Sequence, residues 1–308
     1  MTMKRALITG ATGFVGRHLA ARLMKEGVKV CILVRPGSDR KQLYALPAKP
    51  LLYEHDGTTP GMVRLFKLAT PDTVFHLAAV TLAEHRMEDV DALIRSNILF
   101  GSQLLEACAQ TKVPRFINTG TYWQHYEQAD YDPVCLYAAT KQSFEDILRF
   151  YAGTTALRAV TLKLYDVYGP ADTRGKLLQQ IQKAQHNDEP LKLSPGKQLV
   201  DFVYIDDAVE AYLQAARLLE ERPSQVHGRS FAVRTGKPVS VRELVALYER
   251  VTQTNVPAAW GARPYRPREV MSPLEGPLLP GWKAKANLEE GLRRTLGFEP
   301  AAEGVRHG

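Results

Sequence analysis

Short apolar runs alternate with helical repeats along the first half of the chain. The apolar run over 4–9 ends in glycine, and residues 14–26 then place apolar side chains at helical spacing. A near-continuous apolar run follows over 28–34, which is typical of a buried parallel strand. The order strand, turn, helix, strand predicts a βαβ unit at the start of the chain.

The same alternation continues to about residue 168. The pattern predicts, in chain order, a strand over 73–79, a helix over 92–110, a strand over 115–119, a helix over 136–151 and a strand over 160–165. Repeated strand-then-helix order is typical of an α/β fold with a doubly wound parallel sheet. We therefore predict that fold, with a first domain at residues 1–168.

The pattern changes after Gly169 and Pro170, which interrupt the alternation. Beyond them it predicts helices over 176–186, 206–220, 240–252 and 288–296, a strand over 200–205, and an irregular proline-containing loop over 255–282. Ser240 followed by Glu243 is a capping box, which marks the start of one of these helices. We predict a smaller C-terminal substrate domain over 169–308, with 200–220 returning to the first domain.

Three glycines stand between the first strand and the first helix. Gly10 allows a tight turn, Gly13 lets the backbone approach a pyrophosphate, and Gly16 lets the helix pack close to the strand. Free N–H groups at the start of the helix then bind phosphate oxygens. This context predicts a dinucleotide-binding loop, and a glycine-rich turn without a ligand is the alternative.

The end of the second strand bears on which dinucleotide binds. A carboxylate there would bind the ribose hydroxyls of NAD. Val34 is instead followed by Arg35, whose guanidinium suits a 2′-phosphate. We predict a preference for NADP(H). NAD(H) is the alternative, with Arg35 as a solvated surface charge and Asp39 at the ribose.

Tyr137 and Lys141 lie four residues apart in a predicted helix, so both side chains share one face. A nearby ammonium favours the phenolate, so we expect it to lower the pKa of the tyrosine. Such a tyrosine can pass a proton to or from an alcohol oxygen. Taken alone, the spacing is also met by chance in a pair on a helix surface.

Motifs along most of the chain support the catalytic interpretation. They are Gly10 to Gly16, Asp56, the His-Leu-Ala-Ala segment 76–79, Asn97, Thr119-Gly-Thr121, Tyr137 with Lys141, the segment 165–170 and the segment 201–207. In this order and spacing they resemble the extended short-chain dehydrogenase/reductase superfamily, in its NAD-dependent epimerase/dehydratase branch. The resemblance implies a Rossmann fold and a nicotinamide dinucleotide cofactor.

The resemblance also implies roles for individual residues. Tyr137 would be the general acid/base, and Lys141 would bind the nicotinamide ribose and tune Tyr137. Thr121 would hydrogen-bond the substrate oxygen, Asn97 would support a water network at Lys141, and Asp56 would meet the adenine amine.

Wider sets of cofactor-binding and substrate-binding residues follow from the same motifs. The cofactor set is Gly10, Thr12, Gly13, Phe14, Val15, Gly16, Arg35, Asp56, Gly57, Leu77, Ala78, Ala79, Thr119, Tyr137, Lys141, Leu164 and Val167. The substrate set is Val80, Thr121, Trp123, His125, Asp166, Lys176, Arg234, Arg266 and Arg268. The cations of the second set suit a nucleotide diphosphate. The family often has an arginine at the position of Val200, so one expected substrate contact is missing.

The residues after Thr121 reduce the number of candidate reactions. Dehydratases of the family carry an Asp-Glu pair there, whereas this chain has Tyr122 and Trp123, so the acid and base of an elimination are absent. Cys135 and His125 do not match the spacing of the enzymes that make GDP-fucose. The segments 118–126 and 163–170 resemble the CDP-abequose and CDP-paratose synthase subgroup.

We therefore predict an NADPH-dependent reductase that acts on the C4 keto group of a nucleotide-linked 4-keto-6-deoxy or 3,6-dideoxy sugar. A nucleotide-sugar 4-epimerase with tightly bound NAD is the alternative. A protein of another class, a non-catalytic NADP-binding sensor, would have no need of Thr121, Tyr137 and Lys141 together.

Composition agrees with a small anionic ligand. The 308 residues include 40 Lys and Arg against 33 Asp and Glu, a formal net charge of +7. The basic residues are dispersed, which argues against nucleic acid. The three cysteines show no metal-ligand spacing, so we expect no metal. We also expect a cytoplasmic protein without a membrane span, and a homodimer that packs the predicted helices 92–110 and 136–151 into a four-helix bundle.

Overall fold

One seven-stranded parallel sheet organises the chain. The computed structural model describes residues 3–185 and 190–298. Its strands are β1 (Arg5–Thr9), β2 (Lys29–Val34), β3 (Leu51–Glu54), β4 (Thr73–His76), β5 (Arg115–Thr121), β6 (Arg158–Leu164), β7 (Asp166–Tyr168), β8 (Leu191–Leu193), β9 (Leu199–Val200), β10 (Phe202–Tyr204), β11 (Ser230–Val233), β12 (Val239–Ser240) and β13 (Ala258–Trp260). The sheet order is β3-β2-β1-β4-β5-β6-β11, all parallel. The predicted doubly wound α/β fold is confirmed.

Helices cover both faces of this sheet. They are α1 (Phe14–Lys25), α2 (Thr59–Ala69), α3 (Val90–Ile94), α4 (Phe100–Thr111), α5 (Leu136–Thr154), α6 (Leu177–Ala184), α7 (Ile205–Glu221), α8 (Pro223–Val226), α9 (Val241–Thr252) and α10 (Leu288–Leu296). A π-helical turn at Arg95–Leu99 joins α3 to α4. The predicted helix over 92–110 is therefore three consecutive pieces, and the capping box of Ser240 and Glu243 forms at α9 as predicted.

Successive side chains of each central strand point to opposite faces and so enter two different apolar clusters. Ile8 of β1 packs with the cluster that contains α1 and α7, whereas Leu7 packs with the cluster that contains α2, α4 and α5. Both side chains are fully buried. Each such burial contributes roughly 2 kcal/mol, which explains why the strands are continuous apolar runs.

The hydrophobic pattern missed β3, α2 and the short strand β7 of the first domain. β3 is an edge strand in which Leu51 and Leu52 are exposed, so it lacks the buried run that indicates a central strand. α2 begins where the side chain of Thr58 accepts a hydrogen bond from the backbone N–H of Gly61. That N-cap is a local signal that the apolar period did not reveal.

Other predictions of the second half need correction. The predicted strand over 200–205 is divided, because Asp201 separates β9 from β10. The predicted loop over 255–282 contains β13, which pairs with β8. The predicted helix over 176–186 is α6 and ends earlier, and residue 186 lies outside the described residues.

The C-terminal part of the chain contributes to both halves of the molecule. β11 pairs with β6 at the edge of the main sheet, and α7 packs against α1 and strands β5 and β6. The pairs β10–β7, β12–β9 and β13–β8 form three small sheets beside it. The division into domains 1–168 and 169–308 stays a prediction.

No helix in 3–185 or 190–298 combines the length and apolarity that crossing a membrane requires. Within the same ranges, no three His, Cys, Asp or Glu side chains are grouped so that they could hold a metal ion. Cys31, Cys108 and Cys135 are free thiols.

Asp201 joins the small sheets to the loop that follows β11. Its buried carboxylate accepts hydrogen bonds from the backbone N–H and the hydroxyl of Thr235 and from the backbone N–H of Gly236, each at 2.8 Å. Hydrogen bonds to a buried charged group are among the stronger ones in proteins. This carboxylate therefore fixes how β9 and β10 sit against the main sheet.

We predict that Asp201→Asn lowers the free energy of unfolding by about 2 kcal/mol, because the new amide places a donor against one of the N–H groups. The measurement is the midpoint of urea unfolding at pH 7. Asp91→Asn, at an exposed position of α3, is the matched control and should stay within about 0.5 kcal/mol of the parent. Equal midpoints for the parent and Asp201→Asn would contradict the assigned role.

Candidate active site

The loop between β1 and α1 leaves no room for side chains at two of its glycines. Gly10 has a φ of +74°, and a Cβ there would lie 2.6 Å from the backbone nitrogen of Ala78. A Cβ on Gly16 would lie 2.3 Å from the carbonyl oxygen of Gly10. The loop therefore has to be glycine for α1 to approach β1 and the turn after β4.

No side chain caps the backbone N–H groups at the start of α1. Gly13 is its N-cap, no side chain hydrogen-bonds the first turn, and that turn holds no acidic residue. Exposed backbone N–H groups and the positive end of the helix dipole form an anion site. The pyrophosphate of a dinucleotide fits this cradle.

A cavity of about 470 Å³ opens from the cradle. It brings together eight residues of the predicted cofactor set: Gly10, Thr12, Gly13, Arg35, Gly57, Leu77, Ala78 and Ala79. It also contains residues that the sequence did not indicate, His55, Arg95, Ser96 and Gln103. A cavity of this size and lining suits a cofactor, and Arg35 places a cation at its β2 end.

Asp56 does not line this cavity. Its carboxylate accepts hydrogen bonds from the N–H and hydroxyl of Thr58, at 2.9 and 2.8 Å, and pairs with Arg64 at 3.0 Å. The bonds from Thr58 and the charge of Arg64 hold the pKa of Asp56 below its usual value. The role of Asp56 toward the adenine amine stays a prediction.

His76 and Thr9 fix the turn that faces the glycine loop. The Thr9 hydroxyl accepts from the N–H groups of Leu77 and Ala78, both at 3.2 Å, and lies 2.8 Å from Nδ1 of His76. Because its lone pairs are used, the hydroxyl donates to the imidazole. Burial, and then the charge of Lys141, hold the pKa of His76 well below its usual value, so the ring is neutral.

Four predicted catalytic residues are buried together at the carboxyl edge of the sheet. Thr121 ends β5, Tyr137 and Lys141 lie on α5, and Asn97 lies in the π-helical turn. Their exposed fractions are 7%, 8%, 1% and 0%, respectively. α5 turns this face inward because Phe144 and Leu148, further along it, pack in the apolar cluster under the sheet.

The expectation that Lys141 lowers the pKa of Tyr137 is wrong for this structure. Burial raises the pKa of Tyr137 to about 12, and hydrogen bonding to Thr81 and Thr121 offsets part of the effect. Burial also lowers the pKa of Lys141 to about 8, against the charge of Glu145, which raises it. Desolvation is therefore the largest influence on the pKa of both side chains, and Tyr137 is a neutral phenol near pH 7.

Asn97 supports the site through the backbone. Its amide oxygen accepts from the N–H of Val80 at 2.8 Å, and its amide nitrogen donates to the carbonyl of Val80 and the hydroxyl of Thr140, both at 2.9 Å. These bonds fix the segment that ends in Thr81, which hydrogen-bonds Tyr137. Thr81 had no sequence signal, because only the fold brings it to the phenol.

A second cavity, of about 160 Å³, has Trp123 on its wall. It collects Trp123, Asp166, Lys176 and Arg266 from the predicted substrate set. The carboxylate of Asp166 accepts from the Tyr122 hydroxyl at 3.1 Å and pairs with Lys176 at 3.2 Å. The Trp123 ring lies 6.5 Å from the Tyr137 ring. Trp123 is therefore the contact between this cavity and Tyr137, which does not line the cavity itself.

Arg266 is held in place on the wall of that cavity. Its guanidinium lies 5.3 Å from the centre of the Trp123 ring and pairs with Glu269 at 2.9 Å. A planar guanidinium stacked on an aromatic ring keeps further N–H donors available for phosphate oxygens.

Three members of the predicted substrate set lie elsewhere. His125 contacts Lys163 in a separate cavity of about 350 Å³ beside β11. Arg234 donates to the carbonyl of Glu275 at 3.3 Å. Arg268 lies over the ring of Tyr126 and pairs with Asp132 at 2.5 Å. Sequence position could not separate Arg234 and Arg268 from Arg266, because loop packing decides which arginines reach the cavity.

Of five further predicted residues, Val167 alone lines one of the two cavities, and the others lie on β5, β6 and α1. Thr119 lies 2.7 Å from the hydroxyl of Tyr212, a contact from α7 that the sequence did not indicate. Leu164 pairs with Thr121 across β6 and β5, and Val167 lines the smaller cavity. Phe14 and Val15 form the first turn of α1, where the guanidinium of Arg174 lies 4.5 Å from the Phe14 ring.

The fold and the site together define the class of the protein. A glycine-rich dinucleotide cradle beside a buried Tyr–Lys pair is the arrangement of the extended short-chain dehydrogenases/reductases, as the motifs indicated. The model of the NAD dependent epimerase/dehydratase family matches residues 6–230. The chain belongs to this family.

Similar proteins extend over nearly the whole chain. CDP-abequose synthase of Salmonella muenchen is 27% identical over 300 residues, covering 96% of this chain and 98% of the relative. A probable UDP-glucuronate 4-epimerase of Rhizobium meliloti is 26% identical, covering 95% and 96%. The crystal structure of the Thermus thermophilus UDP-glucose 4-epimerase in complex with NAD is similar with a TM-score of 0.79, at 26% identity, covering 95% and 98%. The predicted resemblance to the family is confirmed.

Burial of the Lys141 ammonium predicts a decrease in the free energy of unfolding that depends on pH. The folded-state pKa of about 8 lies below the ordinary value of 10.5, so the charged form costs roughly 3 kcal/mol below pH 8. Above pH 8 the folded protein releases the proton while the unfolded chain keeps it, and the cost shrinks. Lys141→Met should therefore be more stable than the parent at pH 7, and this difference should narrow toward pH 10.

The measurement is denaturant unfolding of both proteins at pH 7, 8.5 and 10. Lys67→Met, at an exposed position of α2, is the matched control and should show no such trend. A difference that stays constant from pH 7 to pH 10 would show that Lys141 titrates normally.

Proposed function

We propose that the protein reduces the C4 keto group of a nucleotide-linked 4-keto-6-deoxy or 3,6-dideoxy sugar with NADPH. The observation that carries this proposal is the buried cluster of Thr121, Tyr137 and Lys141, in which Thr121 hydrogen-bonds the Tyr137 phenol. A protonated phenol is the state that a ketone reduction needs, because the step consumes one proton at the oxygen. Similarity to CDP-abequose synthases over nearly the whole chain supports the substrate class.

Each catalytic side chain has a defined task in this reduction. When bound, the nicotinamide ring supplies the hydride that C4 receives. The Thr121 hydroxyl accepts from the N–H of Trp123 at 3.3 Å and hydrogen-bonds Tyr137, so both hydroxyls can be directed at one developing alkoxide. Tyr137 transfers its proton to that oxygen. The Lys141 ammonium, charged at pH 7, stabilises the phenolate that remains.

Elimination chemistry is not supported by the residues beside Thr121. Tyr122 is buried, and burial together with Asp166 raises its pKa well above the usual value. It therefore stays neutral, and Trp123 has no ionisable group. Neither replaces the acid and base that a dehydratase needs.

A nucleotide-sugar 4-epimerase is the second candidate. It is favoured by the similarity to UDP-glucuronate and UDP-glucose 4-epimerases. An epimerase uses the tyrosine first as a base and a reductase uses it as an acid, and the cluster of Thr121, Tyr137 and Lys141 suits both. Arg35 favours reduction, because a reductase exchanges NADP(H) at each turnover and a guanidinium suits the 2′-phosphate.

The choice of cofactor rests on the end of β2. Arg35 lines the larger cavity directly after Val34, and no carboxylate stands at this strand end. The charge of Arg35 contributes to lowering the pKa of His55, which places the cation near that side of the cavity. We propose NADP(H) as the preferred cofactor on this ground, with NAD(H) as the alternative.

The smaller cavity supplies the cations for the nucleotide diphosphate. Arg266 and Lys176 lie on its wall, and Trp123 offers an aromatic face beside Tyr137 for the sugar. We place the diphosphate at these two cations and the sugar against the Trp123 ring.

A homodimer through a four-helix bundle is also proposed. Met87, Ile94, Leu99 and Phe150 are apolar side chains with exposed fractions of 40% or more. They lie on or beside α3, α4 and α5, the region predicted to form the bundle. Burying them against a second copy would remove an exposed apolar patch.

Replacing the catalytic phenol tests the proposed reaction. Tyr137→Phe should lower kcat by a factor of about 10²–10⁴, because the proton donor is lost while the ring is kept. The dissociation constant for NADPH should change by less than about threefold. Activity is followed by NADPH oxidation with CDP-, dTDP-, UDP- and GDP-linked 4-keto sugars, with product identified by NMR.

Tyr131→Phe, at an exposed position, is the matched control and should retain full activity. Turnover by Tyr137→Phe at the parent rate would remove Tyr137 from the mechanism. If the parent binds NADPH but oxidises it with no substrate of the panel, the reductase proposal fails.

Replacing the strand-end cation tests the cofactor preference. Arg35→Ser should weaken NADPH binding at least tenfold and NADH binding by less than about threefold, because only NADPH carries the 2′-phosphate. Fluorescence titration gives both dissociation constants. Arg40→Ser is the matched control, since Arg40 is paired with Glu54 and does not line the cavity. Tighter binding of NADH than of NADPH by the parent would overturn the preference.

A further inference from the structure

Gln124 lies completely buried beneath the catalytic end of β5. Its amide oxygen accepts from the backbone N–H of Thr121 at 3.0 Å. Its amide nitrogen donates to Gln142 at 2.7 Å and to Glu145 at 2.9 Å. One side chain therefore joins the strand that carries Thr121 to the helix that carries Tyr137, with donors and acceptor both satisfied.

The same residue closes a capping box around Thr121. The segment Thr121–Gln124 has the Thr-x-x-Gln pattern, and its 3₁₀ turn is stabilised in both directions. The Thr121 side chain accepts from the turn, and the Gln124 side chain accepts from the N–H of Thr121. The box fixes the rotamer of Thr121 and directs its hydroxyl proton away from the turn.

One partner of Gln124, Glu145, lies on the same face of α5 as Tyr137 and Lys141. Glu145 follows Lys141 by four residues and Tyr137 by eight, so all three share one face of the helix. A side chain bonded to Glu145 and to Thr121 at once therefore constrains the distance between the Thr121 hydroxyl and the Tyr137 phenol.

We propose that Gln124 is a positioning residue that aligns the Thr121 hydroxyl with Tyr137. This inference rests on the proposed reduction, in which both hydroxyls act on one substrate oxygen. Gln124 acts through Thr121 and contacts neither the substrate nor the cofactor. Misplacing a reacting group by about 1 Å can cost a factor of about 10² in rate, so the tether matters for turnover rather than for binding.

The kinetic test uses two substitutions of Gln124. Gln124→Met keeps the volume and removes all three hydrogen bonds. We expect kcat to fall at least tenfold, while KM for NADPH and for the sugar changes less than threefold. Gln110→Met, at an exposed position of α4, is the matched control and should keep the parent kcat. An unchanged kcat for Gln124→Met would overturn the proposal.

The variant Gln124→Glu separates a positioning role of residue 124 from a packing role, because the hydrogen bonds of the new carboxyl depend on pH. The new carboxyl lies beside Glu145 and so holds its proton more readily as the pH falls. The protonated acid accepts from Thr121 and donates to Glu145, so its kcat relative to the parent should rise between pH 8 and pH 6. The other ionisable groups around the network are Lys163, His125, Lys141, Asp146 and Arg149. Gln124→Met should show no recovery, and a parallel recovery of both variants would contradict the proposal.

Crystal structures make the test independent of the reaction. In Gln124→Met we expect the Thr121 hydroxyl to move by about 1 Å relative to the Tyr137 hydroxyl. If the parent proves inactive but Thr121 moves, the proposed function fails and the tether stands. If the parent is active and Thr121 stays in place, the positioning role fails. Should Gln124→Met not fold, the structure and pH profile of Gln124→Glu decide the same question.

Discussion

Removal of two ionisable side chains from water is the constraint on which the site depends. α5 must bury Phe144 and Leu148 to cover the sheet, and the same face carries Tyr137 and Lys141. The helix cannot bury its apolar residues without burying this pair. Desolvation then favours the neutral phenol of Tyr137 and lowers the proton affinity of Lys141. Fold stability and catalytic protonation state thus have one physical origin.

The strand order places this helix opposite the cofactor cradle. β1 lies beside β4, where the order of strands reverses, and ligands of doubly wound sheets bind at such a point. Gly10 approaches the backbone of Ala78 there, and Thr9 with His76 fixes the intervening turn. The carboxyl end of β5 then carries Thr121 toward the same opening. Pieces far apart in sequence become neighbours because parallel strands end at one edge.

Much of the fold was predictable because its signals are local. Buried strands such as β1 and β2 are continuous apolar runs, whereas the exposed edge strand β3 lacks one and was missed. β13 was hidden in a proline-containing segment, because its pairing with β8 depends on tertiary contacts. In the site, Tyr137 and Lys141 were predictable from spacing, whereas Thr81 has no pattern of its own and reaches the phenol only through the turn that Asn97 holds.

The sequence by itself determined the glycine cradle, the shared face of Tyr137 and Lys141, and the Thr121–Gln124 cap, because each depends on backbone geometry within a few residues. Tertiary structure alone decided that the pKa of Tyr137 rises, that Arg266 lines the smaller cavity while Arg234 does not, and that Asp56 pairs with Arg64. Those outcomes depend on burial and on neighbours distant in the chain. Solvent exclusion and loop packing exist only once the whole molecule has folded.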